Sequence, residues 1–397
     1  MGAGCGNRAM RVSKRSLRAA LLSMLPLLFT ACAGLPEQPA ISNDDVAWVR
    51  GGAGAPLDVA PDAVEDISAL MRVTPEMSRF AHLATDGSSG YAAKTEALSD
   101  ALDSDKGLHM RYDSDATLTA AEAFTQRRAN CLSYTLLYVA LAREVGLPAQ
   151  FNEVDVPPIW DLGDERTSVL YRHINARIDL PKPYYRIVDV SGEEYDRTFD
   201  QRVISDTAAL AQFYNNRAVE LRLQRHDAAA LRYQLRALQL SPDAAFLWTN
   251  LAGLYLLDGN VRAARIAVTQ SLKLDGSSMM SYDAAAHVYE LLGDKPRARY
   301  FHDRVQAFLE ENPYYHYQLA LAAFRDGDNR MAYNEGRRAI VMYPKDARFF
   351  FLMAVVLDQM GDLRDSNESL QIALELAPDA AQQERYKSKF ARLTKQG

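Results

Sequence analysis

Between residues 211 and 380 the chain repeats itself every 34 residues. Ala218, Ala252, Ala286, Ala320 and Ala354 keep that spacing without a slip, and Ala230, Ala264, Ala298, Ala332 and Ser366 keep the same register. Gly259, Gly293, Gly327 and Gly361 form a third series, with Arg225 in its first place. Pro242, Pro344 and Pro378 form a fourth, with Gly276 and Glu310 in the two other places. Such a period builds a stack of like units, each burying its apolar face against its neighbours. Small residues let two helices of a unit approach closely. Gly ends the first helix, and Pro punctuates the link to the next unit.

The pattern resembles the tetratricopeptide repeat. It predicts an all-α solenoid of five repeats over 211–380, closed by a polar capping helix within 381–397. The resemblance implies a protein or peptide partner. Tyr314, Tyr315, Tyr317, Phe349, Phe350 and Phe351 crowd the fourth and fifth repeats. Packing between helices is the first expectation for them, and any facing the concave surface would suit peptide binding.

Ahead of the repeats one stretch, 117–150, organises the rest. A turn ends in Asn130 and Cys131, and a long apolar helix runs from there to about Glu144, closed by Gly146 and Pro148. Cys131 then sits at a helix N-terminus, where unpaired amide N–H groups and the helix dipole favour a thiolate. Upstream, residues 61–71 have helical spacing, Thr74 and Pro75 form a helix start, and Thr119 with Glu122 forms a capping box. Downstream, 151–156, 169–180 and 184–190 read as strands, with ProProIleTrp at 157–160 as a turn. Helices followed by consecutive strands predict an α+β domain over 61–205. His173 falls on the second strand and Asp189 on the third, as antiparallel neighbours.

The N-terminus carries Arg11, Lys14, Arg15 and Arg18, then an apolar run over 19–31 ending in small residues, then Cys32. This is the pattern of a secretory signal, too short for a transmembrane span. LeuPheThrAlaCys resembles the lipobox of bacterial lipoproteins, which implies cleavage after 31 and lipid on Cys32. Ala33 in the next place implies the outer membrane, facing the periplasm. Residues 32–60, with Pro36, Pro39, Pro56 and a Gly-rich run at 51–56, read as a flexible tether. The chain has three cysteines; Cys5 leaves with the signal and Cys32 takes lipid, so Cys131 is the one thiol left. A disulfide framework is thereby excluded. A net charge of −6 gives no support to nucleic-acid binding.

Cys131, His173 and Asp189 are the candidate catalytic residues. A thiolate attacks a carbonyl carbon. An imidazole takes the thiol proton and returns it to the leaving amine. A carboxylate holds the imidazole's tautomer and stabilises its cation. ThrAlaAlaGluAlaPheThrGlnArgArgAlaAsnCysLeuSerTyrThr at 119–135, AlaLeuAlaArgGluValGlyLeuProAla at 140–149, ArgHisIleAsn at 172–175 and IleValAspVal at 187–190 are similar to the bacterial transglutaminase-like superfamily. The resemblance implies a papain-like core with Cys, His and Asp in these three places. Asn130, Gln126 and the backbone N–H of Cys131 are the candidate oxyanion donors. No HisGluXaaXaaHis pair and no GlyXaaSerXaaGly elbow occurs, so neither a metal nor an organic cofactor is expected.

The expectation is a lipid-anchored envelope protein whose thiol cleaves or transfers an amide through a thioester, with water or an amine as acceptor. The repeats would hold a protein partner or substrate. The alternative is a non-catalytic scaffold lipoprotein in which the repeats carry the function.

Overall fold

The structure, a computed structural model, describes residues 37–52, 64–155, 173–190, 199–377 and 380–394. The signal segment, Cys5, Cys32, the 157–160 turn, the first part of the expected 169–180 strand, Pro378 and much of the tether lie outside them.

Part of the expected tether is helical. Helix α1, Asn43–Val49, starts at Ser42, which forms a reciprocal capping box with Asp45. Val49 is fully buried, and its carbonyl accepts the Tyr255 hydroxyl at 2.6 Å. Arg262 lies over the Trp48 ring at 4.9 Å. The apolar pair Trp48 and Val49 thus anchors this segment on the repeats, against the Gly/Pro-rich composition that reads as a linker.

The expected helix over 61–71 is a single described turn, α2, Ile67–Leu70. Helix α3, Pro75–Ala84, begins at Thr74, whose hydroxyl accepts the Met77 N–H at 3.3 Å. Helix α4, Gly90–Asp103, follows. A two-residue strand β1, Arg111–Tyr112, runs parallel to β2, Arg128–Ala129, on either side of α5, Ala120–Gln126. The Thr119–Glu122 capping box starts α5 as its spacing predicts.

Helix α6, Cys131–Glu144, is the axis of the domain. Every residue from Leu132 to Ala142 is buried, so it is covered on all sides, as its unbroken apolar run requires. Gly146, at φ +78°, turns the chain out of it. Strands β3, Ala149–Val154, β4, His173–Asp179, β5, Tyr185–Val188, and β6, Gln201–Ile204, form one antiparallel sheet in the order β5-β4-β3-β6. Strand β6 is an edge strand of four residues, half exposed, and too short to read from sequence.

The solenoid follows at once. Its helix pairs are α7, Asp206–Leu223, with α8, Asp227–Leu240; α9, Ala245–Leu257, with α10, Val261–Leu274; α11, Met279–Leu291, with α12, Lys295–Glu310; α13, Pro313–Arg325, with α14, Asn329–Met342; and α15, Ala347–Gln359, with α16, Leu363–Leu376. Helix α17, Ala380–Thr394, stacks Tyr386 on Phe351 at 4.8 Å. The five alanines of the first series are all 0–1% exposed. Ser366, standing in an alanine place, donates its hydroxyl to the Ala354 carbonyl at 2.8 Å, so the buried polar group is satisfied. Phe349 is fully buried between Tyr314 and Tyr317, so these aromatics serve packing.

Gly259, Gly293, Gly327 and Gly361 all have φ between +72° and +83°. An added Cβ at any of them meets nothing within 4 Å, so conformation rather than space requires glycine. Arg225 takes the same left-handed conformation, at φ +64°, with a side chain.

Helix α7 has 18 residues where α9, α11, α13 and α15 have 13. The extra turn belongs to the α+β domain. Arg143 pairs with Asp206 through two hydrogen bonds of 2.6 and 2.8 Å. Gln212 donates to the buried carboxylate of Glu153 at 2.8 Å, which Arg202 also holds. Tyr214 donates to the Glu65 carbonyl at 2.6 Å. One helix therefore ends the first domain and begins the second.

Candidate active site

The first turn of α6 presents Cys131. Asn130 is the N-cap: its Oδ1 accepts the Ser133 N–H at 2.9 Å, and its carbonyl accepts the Tyr134 N–H at 3.0 Å. The turn before it is braced: Asn130 is 6% exposed and its N–H reaches the Ala116 carbonyl at 3.2 Å. Thr135, one turn on, ties α6 to β4 by donating to the Ile174 carbonyl at 3.1 Å.

His173 is the first residue of β4 and is buried. Strand alternation turns Ile174, Ala176 and Ile178 into the core and puts His173 and Asn175 on the other face. The pairing of Ala176 with Val188, carried one step further, sets Asp189 opposite Asn175. From there Asp189 Oδ2 accepts His173 Nε2 at 2.6 Å. The Cys131 thiol is hydrogen-bonded to the same imidazole. With Nε2 committed to the carboxylate, Nδ1 is the nitrogen left for the sulfur. Burial alone would lower the His173 pKa. The Asp189 and Cys131 hydrogen bonds and charges outweigh it and push the imidazole up to about 10.

Two residues that sequence reasoning missed complete this face. Asn175 Nδ2 donates to Asp189 Oδ2 at 3.1 Å. Asn152 Nδ2 donates to Asn175 Oδ1 at 2.8 Å and to Gln201 Oε1 at 3.0 Å. Both asparagines are nearly or fully buried. Asn152, Asn175 and Asp189 form one row across β3, β4 and the end of β5. The signal in the sequence was Asn175, two places after His173 and so on the same face of a strand. Asp189 Oδ1 is buried with no partner among the described residues.

The two side chains among the oxyanion candidates have described partners. The Asn130 side chain is spent on its cap and on Thr117, whose hydroxyl accepts Nδ2 at 2.8 Å. Gln126 is exposed and its Oε1 accepts from Arg128 at 3.1 Å. Among the described residues the N–H groups of Cys131 and Leu132 have no partner, and they lie in the turn that carries the sulfur. No group of three or more His, Cys, Asp or Glu suited to a metal occurs among the described residues.

The chain thus carries a transglutaminase-like domain: the family model of the transglutaminase-like superfamily matches residues 80–164, which include Cys131 and stop short of His173 and Asp189. The other region is a tetratricopeptide-like stack of helix pairs. Solved structures similar to it include MamA from Desulfovibrio magneticus RS-1, 17% identical over 42% of this chain and 94% of that one, with a TM-score of 0.24. YrrB, described as a TPR protein with an unusual peptide-binding site, is 18% identical over 45% of this chain and 92% of that one, also at 0.24. No curated protein matches the chain.

Proposed function

We propose that the domain is a cysteine acyl-transfer enzyme. The observation that carries this reading is the single imidazole bonded both to the Asp189 carboxylate and to the only described thiol. The Cys131 proton already rests on His173, and the thiolate attacks an amide carbonyl. The tetrahedral oxyanion meets the N–H groups of the first α6 turn. The carbon–nitrogen bond then breaks, His173 protonates the leaving amine, and a thioester on Cys131 remains. Water resolves the thioester to an acid, or an amine resolves it to a new amide. No cofactor enters this sequence.

The repeats hold a protein partner or substrate near the thiol. Lipid on Cys32 holds the chain at the outer membrane, facing the periplasm. No described helix is long and apolar enough to cross a membrane.

Alkylation of Cys131 by iodoacetamide tests the chemistry. An imidazole-activated thiol reacts rapidly at about pH 6 and slows strongly in His173→Ala. A thiol that reacts only above about pH 8, with no dependence on His173, overturns the reading.

A further inference from the structure

The first repeat reaches the turn that carries the nucleophile. Glu220, near the C-terminal end of α7, has a side chain only 16% exposed. One of its oxygens accepts the Thr117 N–H at 3.2 Å, and the other pairs with Arg217 at 2.5 Å. Thr117 is 3% exposed, so its N–H depends on that carboxylate. The Thr117 hydroxyl accepts from Asn130, and Asn130 caps Ser133. Beside this path Leu118 N–H donates to Ser133 Oγ at 2.6 Å. Residues 116–118 belong to no helix or strand. Their place is therefore set by α7 on one side and by the first turn of α6 on the other.

We propose that Glu220, a residue of the repeat solenoid, is a positioning residue for Cys131. It holds Thr117, Thr117 holds Asn130, and Asn130 sets the first turn of α6. Arg217 keeps the carboxylate aimed, and stacks in turn over Tyr233 of the same repeat at 5.9 Å. The first repeat is then part of the site and not only a neighbour of it. The effect on reactivity rests on the acyl-transfer reading; the effect on the turn does not.

The test uses the full chain with Glu220→Ala, Glu220→Gln and Thr117→Val. Gln keeps an oxygen that accepts the Thr117 N–H. Val removes the hydroxyl that holds Asn130 while keeping the side chain's shape. Two quantities are read: the rate of Cys131 alkylation at about pH 6 and amide hydrogen exchange at Ser133 and Tyr134. Glu220→Ala and Thr117→Val are expected to slow alkylation roughly fivefold or more and to speed exchange at Ser133 by a similar factor. Glu220→Gln is expected to recover both to within about twofold. Unchanged Ser133 exchange in both Glu220→Ala and Thr117→Val overturns the proposal, whatever the thiol does. So does a Gln variant no better than Ala, since a lost fold rather than a lost acceptor would then explain both. If the native thiol shows no His173 dependence while Ser133 exchange follows the expected order, the acyl-transfer reading falls and the strut from the repeat stands.

Discussion

His173 Nε2 and Asp189 Oδ2 lie 2.6 Å apart, and both side chains are almost wholly shielded. A carboxylate so placed can only accept, so the imidazole donates, and its protonated form is the one the site favours. The sign for stability follows. The ordinary His value is 6.5 and the folded value is raised to about 10. The stabilisation from protonated His173 is therefore full below the ordinary value and is lost as pH rises through the folded one. Thermal unfolding at several pH values checks this. The midpoint of the native chain should exceed that of His173→Gln most at about pH 6, and the gap should close towards about pH 10.

Asn175 is the next test. It gives Asp189 its second described hydrogen bond and is itself held by Asn152. Asn175→Ala leaves Asp189 Oδ1 as unpartnered as before and removes the donor from Oδ2. Loss of one bond to a charged group costs about 1.5–3 kcal/mol. Alkylation of Cys131 should fall roughly tenfold or more if that cost is borne by the charged pair. Asn175→Asp should be worse, because it sets a second carboxylate beside the first. Equal rates for Ala and native chains would show that Asp189 needs no such support.

How far these features could be read from sequence depended on whether their cause was local. The capping boxes of Thr119 and Ser42 are both local patterns, yet only the first was expected, because the second lies in a stretch whose glycines and prolines read as a linker. Cys131 at the start of a helix ending at Glu144 followed from the apolar run and Gly146. His173 beside Asp189 followed from two strands joined by a short turn. The Asn152–Asn175–Asp189 row depends on strand register across the sheet, which no local pattern states. The partners of Asn130 and Gln126 are set by their neighbours Thr117, Ser133 and Arg128, which residue type alone does not state. The 34-residue period marked the first repeat from 211, but α7 begins at Asp206 because its first turn serves the other domain.

The one irregular place in the glycine series makes a stability prediction. Arg225 adopts φ +64°, a conformation costing a non-glycine residue roughly 1–2 kcal/mol. The next residue, His226, caps α8 with no side-chain hydrogen bond, whereas Asn260, Asp294, Asp328 and Asp362 each cap the helix in the equivalent place. Arg225→Gly should stabilise the chain by about 1 kcal/mol and His226→Asp by a similar amount. Gly259→Ala should destabilise by about 1 kcal/mol, through backbone strain alone, since the space around it is open. Denaturant midpoints for the three variants decide the matter. A destabilising Arg225→Gly would mean that the Arg225 side chain contributes more than its strain costs.

The docked helix α1 gives the last prediction. Its hold on the repeats rests on buried Val49, on the Tyr255 hydroxyl at the Val49 carbonyl and on Arg50, which donates to the Leu238 carbonyl at 3.3 Å. Arg50 also lies 5.9 Å over the Trp248 ring, so it is engaged on both sides. A protease that cuts after arginine needs local opening of such a segment before it can cleave. In the native chain, cleavage after Arg50 should therefore be slow. Val49→Asp buries an unpaired charge unless α1 leaves its seat, and leaving is the cheaper course. Trypsin should then cut after Arg50 at least roughly tenfold faster, with the solenoid still folded by circular dichroism. Tyr255→Phe removes one hydrogen bond and should give a smaller acceleration of the same kind, about fivefold. Equal cleavage in all three chains would show that α1 is not held by these contacts, and that residues 43–50 behave as the linker their composition describes.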